Sequence, residues 1–318
     1  MRFFTGMAGL LRWSACGNPA RAATPSRRHP PRGRPAGRKR RWYFPREPVR
    51  MPCDKGGKGM DRHPTDAEAK GQVAGRQRIL HGDCLQLLPL LDAGSVDVVV
   101  TSPPYNIGIG YGAYDDRRPR AAYLGWLAEV GRALHRVLAD YGSLFLNLGG
   151  TATDPWVVMD VAAAFREAFR LQNHIVWVKS LAIGDDTLGH FKPVNSRRFL
   201  NNNHEAILHL TKTGHADIDR LEIGVPFKDK SNIARWGHAR DRRCAGNVWF
   251  IPYDTVRSRA QKFDHPAGFP VELPRRCIRL CGAGPKRVLD PFLGAGTTLV
   301  AAEELGCDGI GIEIDGTY

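Results

Sequence analysis

Two short stretches hold residues arranged for chemistry. The first, "VVVTSPPYNIG" (98–108), is a β-branched run that ends in two hydroxyl residues, two prolines and a tyrosine. Successive prolines fix the backbone and remove two N–H donors, so the carbonyls of Ser102 and Pro103 are left out of a regular ladder and face a ligand as acceptors. Tyr105 sets a flat ring beside them. That combination suits a planar heterocycle carrying an amino group. An exocyclic amine is a poor nucleophile because its lone pair is delocalised into the ring. Acceptors that bind its two hydrogens favour a more pyramidal, more reactive nitrogen, so placement can do the work of a strong base. Ser102 is not itself a base. Read alone, the four residues from Ser102 to Tyr105 also describe an ordinary proline turn after a strand.

The second stretch is "DPFLGAGTT" (290–298), followed by the acidic strand "DGIGIEID" (308–315). Gly294 and Gly296 let backbone approach a ligand at the carboxyl edge of a sheet, and Glu313, about 20 positions on, is placed to bind a ribose diol. A nucleoside-bearing cofactor is implied. The spacing is GxGTT and not GxGxxG, and no lysine follows as in a phosphate-binding loop, so a pyrophosphate is not the natural ligand. Asp290 either accepts from a ligand amine or caps the turn, and Asp83, in "HGD" (81–83), has the same two readings.

These residues need a scaffold that brings them together. "SVDVVVTS" (95–102) reads as a strand buried on both faces of a parallel sheet. Residues 119–138 carry Tyr123, Leu124, Leu127, Val130, Leu134, Val137 and Leu138 at helical spacing. Strands are expected in "RILHGD" (78–83), ending in an acidic turn, and at 142–150, 174–180, 286–292 and 308–315, with helices at 84–92, 155–169 and about 297–305. Such alternation defines an α/β class with a mostly parallel, doubly wound sheet. Between 179 and 262 the rhythm breaks into polar sequence with 15 Lys+Arg against 9 Asp+Glu, interleaved with Trp236, Trp249, Phe250 and Tyr253 and with one strand candidate at 204–212. It reads as an inserted module, dividing an α/β domain into halves at 76–178 and 263–318.

The chain has 318 residues and a formal net charge of +14. Residues 1–75 hold 17 Lys+Arg against 5 Asp+Glu, which leaves a nearly neutral 29 against 27 for the rest. This basic extension is rich in Pro, Gly and Arg and lacks an apolar period, so disorder is expected. Its freedom from acidic residues before Glu47 fits a transit peptide, and "FFTGMAGLL" a secretory signal; the favoured reading is a start site set too far upstream, with Met51 or Met60 as the beginning. The seven scattered cysteines suit a reducing compartment, and Cys277 and Cys281 lack the second pair a zinc site needs, so no metal is expected. No run reaches the ~18–20 apolar residues of a membrane span, so a soluble, cytoplasmic protein is expected.

"TSPPYNIG" after a valine-rich strand, then the insert, then "FDHPAGFP", "VLDPFLGAGTT" and "GIEID" resemble the amino-directed DNA methyltransferases in their permuted, beta-group order. The resemblance spans roughly 79–318. It implies a sheet of the S-adenosylmethionine-dependent methyltransferase type and a flipped base held and stacked by Ser102, Pro103, Pro104 and Tyr105. It places the cofactor on Asp290, Phe292, Gly294, Gly296 and Thr297, with Glu313 on the ribose, Asp83 at the adenine, and His265 and Pro266 lining the methionine end. It casts 179–262 as the target-recognition module, working on double-stranded DNA, with Arg197, Arg198, Arg242 and Arg243 as phosphate contacts. Asn201–Asn203 either read base edges or form an Asn-rich loop.

Serine at position 102 leans the resemblance toward N4 of cytosine; adenine N6 is the alternative, since those relatives more often carry Asp or Asn there. Methylation at cytosine carbon 5 requires a cysteine nucleophile, typically after proline; the one such pair is Pro52-Cys53, in the basic extension where disorder is expected, so that chemistry is set aside. A nicotinamide-dependent oxidoreductase would explain the glycine turn but leave "TSPPY" idle, and a silent DNA-binding relative would keep only the insert. RNA as substrate and a cognate restriction endonuclease as partner both stay open.

Overall fold

The computed structural model describes residues 71–74, 76–110, 112–191, 194–235, 237, 240–252 and 268–317. All of them fall in the unit Asp61–Tyr318. In chain order the strands are β1 (Gly71–Ala74), β2 (Gln77–His81), β3 (Val96–Thr101), β4 (Leu138–Leu148), β5 (Arg170–Val178), β6 (Ser180–Ile183), β7 (Asp186–Gly189), β8 (His204–Thr211), β9 (Val248–Phe250), β10 (Arg287–Asp290) and β11 (Asp308–Glu313). The helices are α1 (Cys84–Leu87), α2 (Arg120–Val137), α3 (Val157–Arg166), α4 (Ser231–Arg235), α5 (Glu272–Leu280) and α6 (Thr297–Glu304).

One nine-stranded sheet organises the domain, in the order β1-β2-β11-β10-β3-β4-β8-β5-β9. The five strands from β2 to β4 run parallel, β8 is antiparallel to both β4 and β5, and β9 adds in parallel to β5. The expected α/β class with a mostly parallel, doubly wound sheet is therefore what the chain adopts.

The valine run explains why both faces are covered. Val96 and Val99 enter the core under α2 and α3, with Tyr123, Leu127, Leu134 and Phe165. Val98 and Val100 enter a second core with Leu273, Cys277 and Ile278 of α5 and Ala301 and Ala302 of α6. The phase change between Val96 and Val98 coincides with a register shift against β4. All four valines are fully buried, which fits a strand with helices on both sides.

Two expected boundaries need correction. Residues 1–70 of the basic extension lie outside the described residues, but its last segment is β1, which pairs antiparallel with β2 from Gly71–Leu80 to Ala74–Gln77 and so joins the sheet edge. Nor does the insert 179–262 stand wholly outside the main sheet. Its apolar strand β8 sits inside the main sheet between β4 and β5, and β9 extends the same sheet. Among the described residues of that span, the β6–β7 hairpin, residues 194–203 and the stretch from 212 through α4 belong to no strand of the main sheet.

Candidate active site

Winding reverses between β3 and β10. From β10 the chain passes through α6 to β11, which lies on one side; from β3 it passes through α2 to β4 on the other. Ligands bind at such a switch point, outside the carboxyl ends of the strands. Both chemistry-bearing stretches begin there, since Ser102 follows the last residue of β3 and Pro291 the last of β10. The antiparallel sense of β8 brings its first residues, His204 and Glu205, to the same edge.

Asp290 ties the two corners. Thr101 Oγ1 donates to its Oδ1 at 2.7 Å, Thr298 Oγ1 donates to its Oδ2 at 2.7 Å, and the Phe292 amide donates at 3.1 Å. The side chain is 1% exposed, and burial pushes its carboxyl up to about 6 against the pull of those three donors. Gly296 takes a left-handed conformation (φ 80°) as the N-cap of α6.

A cavity of about 480 Å³ opens between the corners. It is lined by Asp83, Phe292, Gly294, Thr297 and Glu313 together with Ser102, Pro103, Pro104 and Tyr105. Glu313 accepts from the amides of Gly294 (2.7 Å) and Asp315 (2.9 Å), so lone pairs remain on both oxygens. Asp83 accepts from the Leu85 amide at 2.8 Å and caps α1. Phe292 meets Trp126 edge-on with ring centroids 5.5 Å apart, and the Arg118 guanidinium lies over both Tyr114 (4.6 Å) and Trp126 (5.2 Å). Cys84 also lines the cavity, but burial pushes its thiol up to about 12, so it offers no thiolate at neutral pH.

The turn after β3 is braced from below. Tyr123 OH donates to the Pro104 carbonyl at 2.7 Å. The buried Asp116 accepts from the amides of Asn106, Ile107 and Ile109 at 2.8, 3.1 and 2.9 Å, and Asn106 is the one non-glycine residue with positive φ (58°) among those described. Ser102 Oγ and Tyr105 OH are 2.6 Å apart. Tyr105 OH donates to Glu205 Oε2 at 3.1 Å, Asn147 Nδ2 donates to Tyr105 OH (2.8 Å) and Glu205 Oε2 (2.7 Å), and Lys179 Nζ donates to Glu205 Oε1 at 2.7 Å.

The cavity is lined by most of the expected cofactor and base-holding residues but not by all of them. Asp290 and Gly296 are not among the cavity's lining residues: one is consumed as a buried acceptor, the other as a helix cap. Arg197, Arg198, Arg242 and Arg243 do not line it. Arg242 Nη1 donates to the Gly224 carbonyl (2.7 Å), Arg243 pairs through its backbone with Val225, and Arg198 lies 5.4 Å over the Phe199 ring. Asn201 and Asn202 act as loop braces, to the Val194 amide and the Gly150 carbonyl, and of these Asn202 also faces the cavity. His265 and Pro266 lie outside the described residues. Sequence reading passed over Asn147, Lys179 and Glu205. Their signal was a polar side chain in, or just past, an otherwise apolar strand, as in "SLFLNL" and "HEAILHL".

A switch-point cavity lined by both a glycine corner with an acidic residue and a proline-stiffened turn is the arrangement of an enzyme that acts with a nucleoside-bearing ligand. Residues 96–318 match the family model described as DNA methylase, for the N6/N4 methyltransferases. The chain is 30% identical over 254 residues to the type II methyltransferase M.BglII of Bacillus subtilis, covering 76% of this chain and 66% of that protein. It is 30% identical over 249 residues to a DNA adenine methyltransferase of Escherichia coli K12, covering 76% and 79%. Among solved structures it resembles a putative DNA modification methylase of Thermus thermophilus, complexed with S-adenosyl-L-methionine, with a TM-score of 0.50 and 25% identity over 76% of this chain and 90% of that one. The chain belongs to the amino-directed DNA methyltransferase family.

Proposed function

We propose that the protein transfers a methyl group from S-adenosylmethionine to the N4 amine of cytosine in double-stranded DNA, acting on a base flipped out of the helix. One observation carries the reading: the proline-stiffened corner at Ser102–Tyr105 and the glycine corner at Phe292–Gly294 line a single cavity.

The residues fit the cofactor. Glu313 has lone pairs open to a ribose diol, Asp83 lines the same cavity, and Phe292 and Trp126 supply aromatic faces that favour a cation. When bound, S-adenosylmethionine supplies an electrophilic methyl group on a sulfonium. The chain's own part is placement. Ser102 Oγ and the carbonyl of Pro103 accept the amine hydrogens, and Tyr105 stacks on the base. A base within a duplex cannot reach a cavity below the sheet edge, hence flipping. Target recognition falls to the hairpin and irregular segments within 179–262, and the similarity to a type II methyltransferase fits a restriction partner.

Serine at position 102 favours cytosine. Adenine N6 is the second reading, and the Escherichia coli adenine methyltransferase speaks for it. Nucleoside mass spectrometry of DNA from cells expressing the protein separates them: 4-methylcytosine supports the first, 6-methyladenine replaces it with the second, and neither overturns both.

A further inference from the structure

We propose that Glu205 is the terminal proton acceptor of a relay that runs from Ser102 through Tyr105 and carries away the proton released by the methylated amine. This rests on the amino-methyl transfer reading above.

The relay is continuous: Ser102 Oγ to Tyr105 OH is 2.6 Å, and Tyr105 OH to Glu205 Oε2 is 3.1 Å. The surrounding bonds set its polarity. Asn147 Nδ2 donates to both Tyr105 OH and Glu205 Oε2, an orientation fixed because the flipped amide would turn its oxygen toward a carboxylate. The strongest acceptor within reach of the tyrosine hydroxyl is then Glu205, since a bond to an ionised acceptor is about twice as strong as a neutral one. With the phenol proton directed there, Ser102 directs its own proton to Tyr105 and turns its lone pairs to the cavity. The hydroxyl is poised as an acceptor for an amine.

The neighbours agree with a working carboxylate more than with a structural one. Lys179 and Glu205 have side chains 21% and 13% exposed, and an ion pair so far removed from water is weak support for stability. Asn147 is 2% exposed, and its Oδ1 has no hydrogen-bond partner among the described residues. Its Nδ2 holds Tyr105 and Glu205 in line.

The step balances without a further reagent. The exocyclic nitrogen uses its lone pair to form the N–CH₃ bond, and the S–CH₃ pair stays on sulfur, leaving a neutral thioether. The cationic nitrogen gives a proton to Ser102 Oγ, the serine proton moves to Tyr105 and the phenol proton to Glu205. Release of that proton to water restores the Lys179–Glu205 ion pair.

The test uses single-turnover transfer of labelled methyl from S-adenosylmethionine to genomic DNA from a methylation-deficient host, with cofactor affinity measured in parallel. Glu205→Gln and Tyr105→Phe should each slow transfer by about 10²-fold with cofactor affinity kept. The double variant should be no slower than the slower single, because the two act as one unit. Formate should restore Glu205→Ala at least about 10-fold, a readout that a purely structural role would not move. If Glu205→Gln no longer binds cofactor, Tyr105→Phe, which removes one atom, carries the test. Rates within about threefold of the native chain, losses that multiply, or no effect of formate would overturn the relay alone. A native chain that methylates neither amine overturns the functional reading and the relay together.

Discussion

Replacing Asp290 by asparagine separates a binding role from a buried structural one. The carboxyl is pushed from 3.8 to about 6, chiefly by burial. Folded chain therefore holds this proton more tightly than unfolded chain does. The sign follows: the contribution to stability is fully present below pH 3.8 and is lost as pH rises through about 6. A difference of about two pKa units corresponds to on the order of 3 kcal/mol. In Asp290→Asn one oxygen still accepts from Thr101 and the Phe292 amide, while the new NH₂ meets Thr298, whose hydroxyl turns to accept it and already lies 3.4 Å from the Val100 carbonyl. Urea unfolding of both chains from about pH 4 to about pH 8 should show the stability difference moving toward the variant by that amount. Affinity for S-adenosylmethionine should stay within a few-fold, because the side chain does not face the cavity. A stability difference flat with pH would refute the burial argument. A loss of affinity of about 100-fold or more, equivalent to ~2.7 kcal/mol, would make Asp290 a ligand contact after all.

Tyr105→Ala should depress methyl transfer strongly, and Ser102→Ala less so, with cofactor affinity kept in both; equilibrium binding alongside labelled-methyl transfer checks this, and an unchanged rate in the tyrosine variant would remove its stacking role. Gly149→Ala should also slow transfer, since a Cβ there would lie 2.7 Å from Tyr105 Cε2 and 3.0 Å from Glu205 Cδ. Overpacking of this kind costs about 1–3 kcal/mol, so the variant should lower the thermal midpoint as well as the rate.

Much of the scaffold was legible because its signals are local. The valine run at 96–101 and the stripe Tyr123, Leu127, Val130, Leu134, Val137 report burial directly, and each became a buried strand or helix face. The strand at 204–211 was legible as a strand but not as a member of the main sheet. Its partners β4 and β5 are distant in sequence, and no local pattern encodes antiparallel pairing with them. The same gap hid part of the site. Motif residues announce a corner, but which of them face the cavity depends on neighbours: the bond from Thr101 to Asp290, across 189 positions, cannot be read from the motif. Glu205, Lys179 and Asn147 carry no motif of their own and acquire meaning only when three strand ends converge.

The three amides gathered on Asp116 have a bearing on how tightly a base is held. A loop tied down by one buried carboxylate has surrendered its freedom during folding, before any nucleic acid arrives. The landing surface for the base then loses little further entropy on contact, so differences in affinity between DNA sequences must originate at the rim of the cleft and in the ease of opening each base pair.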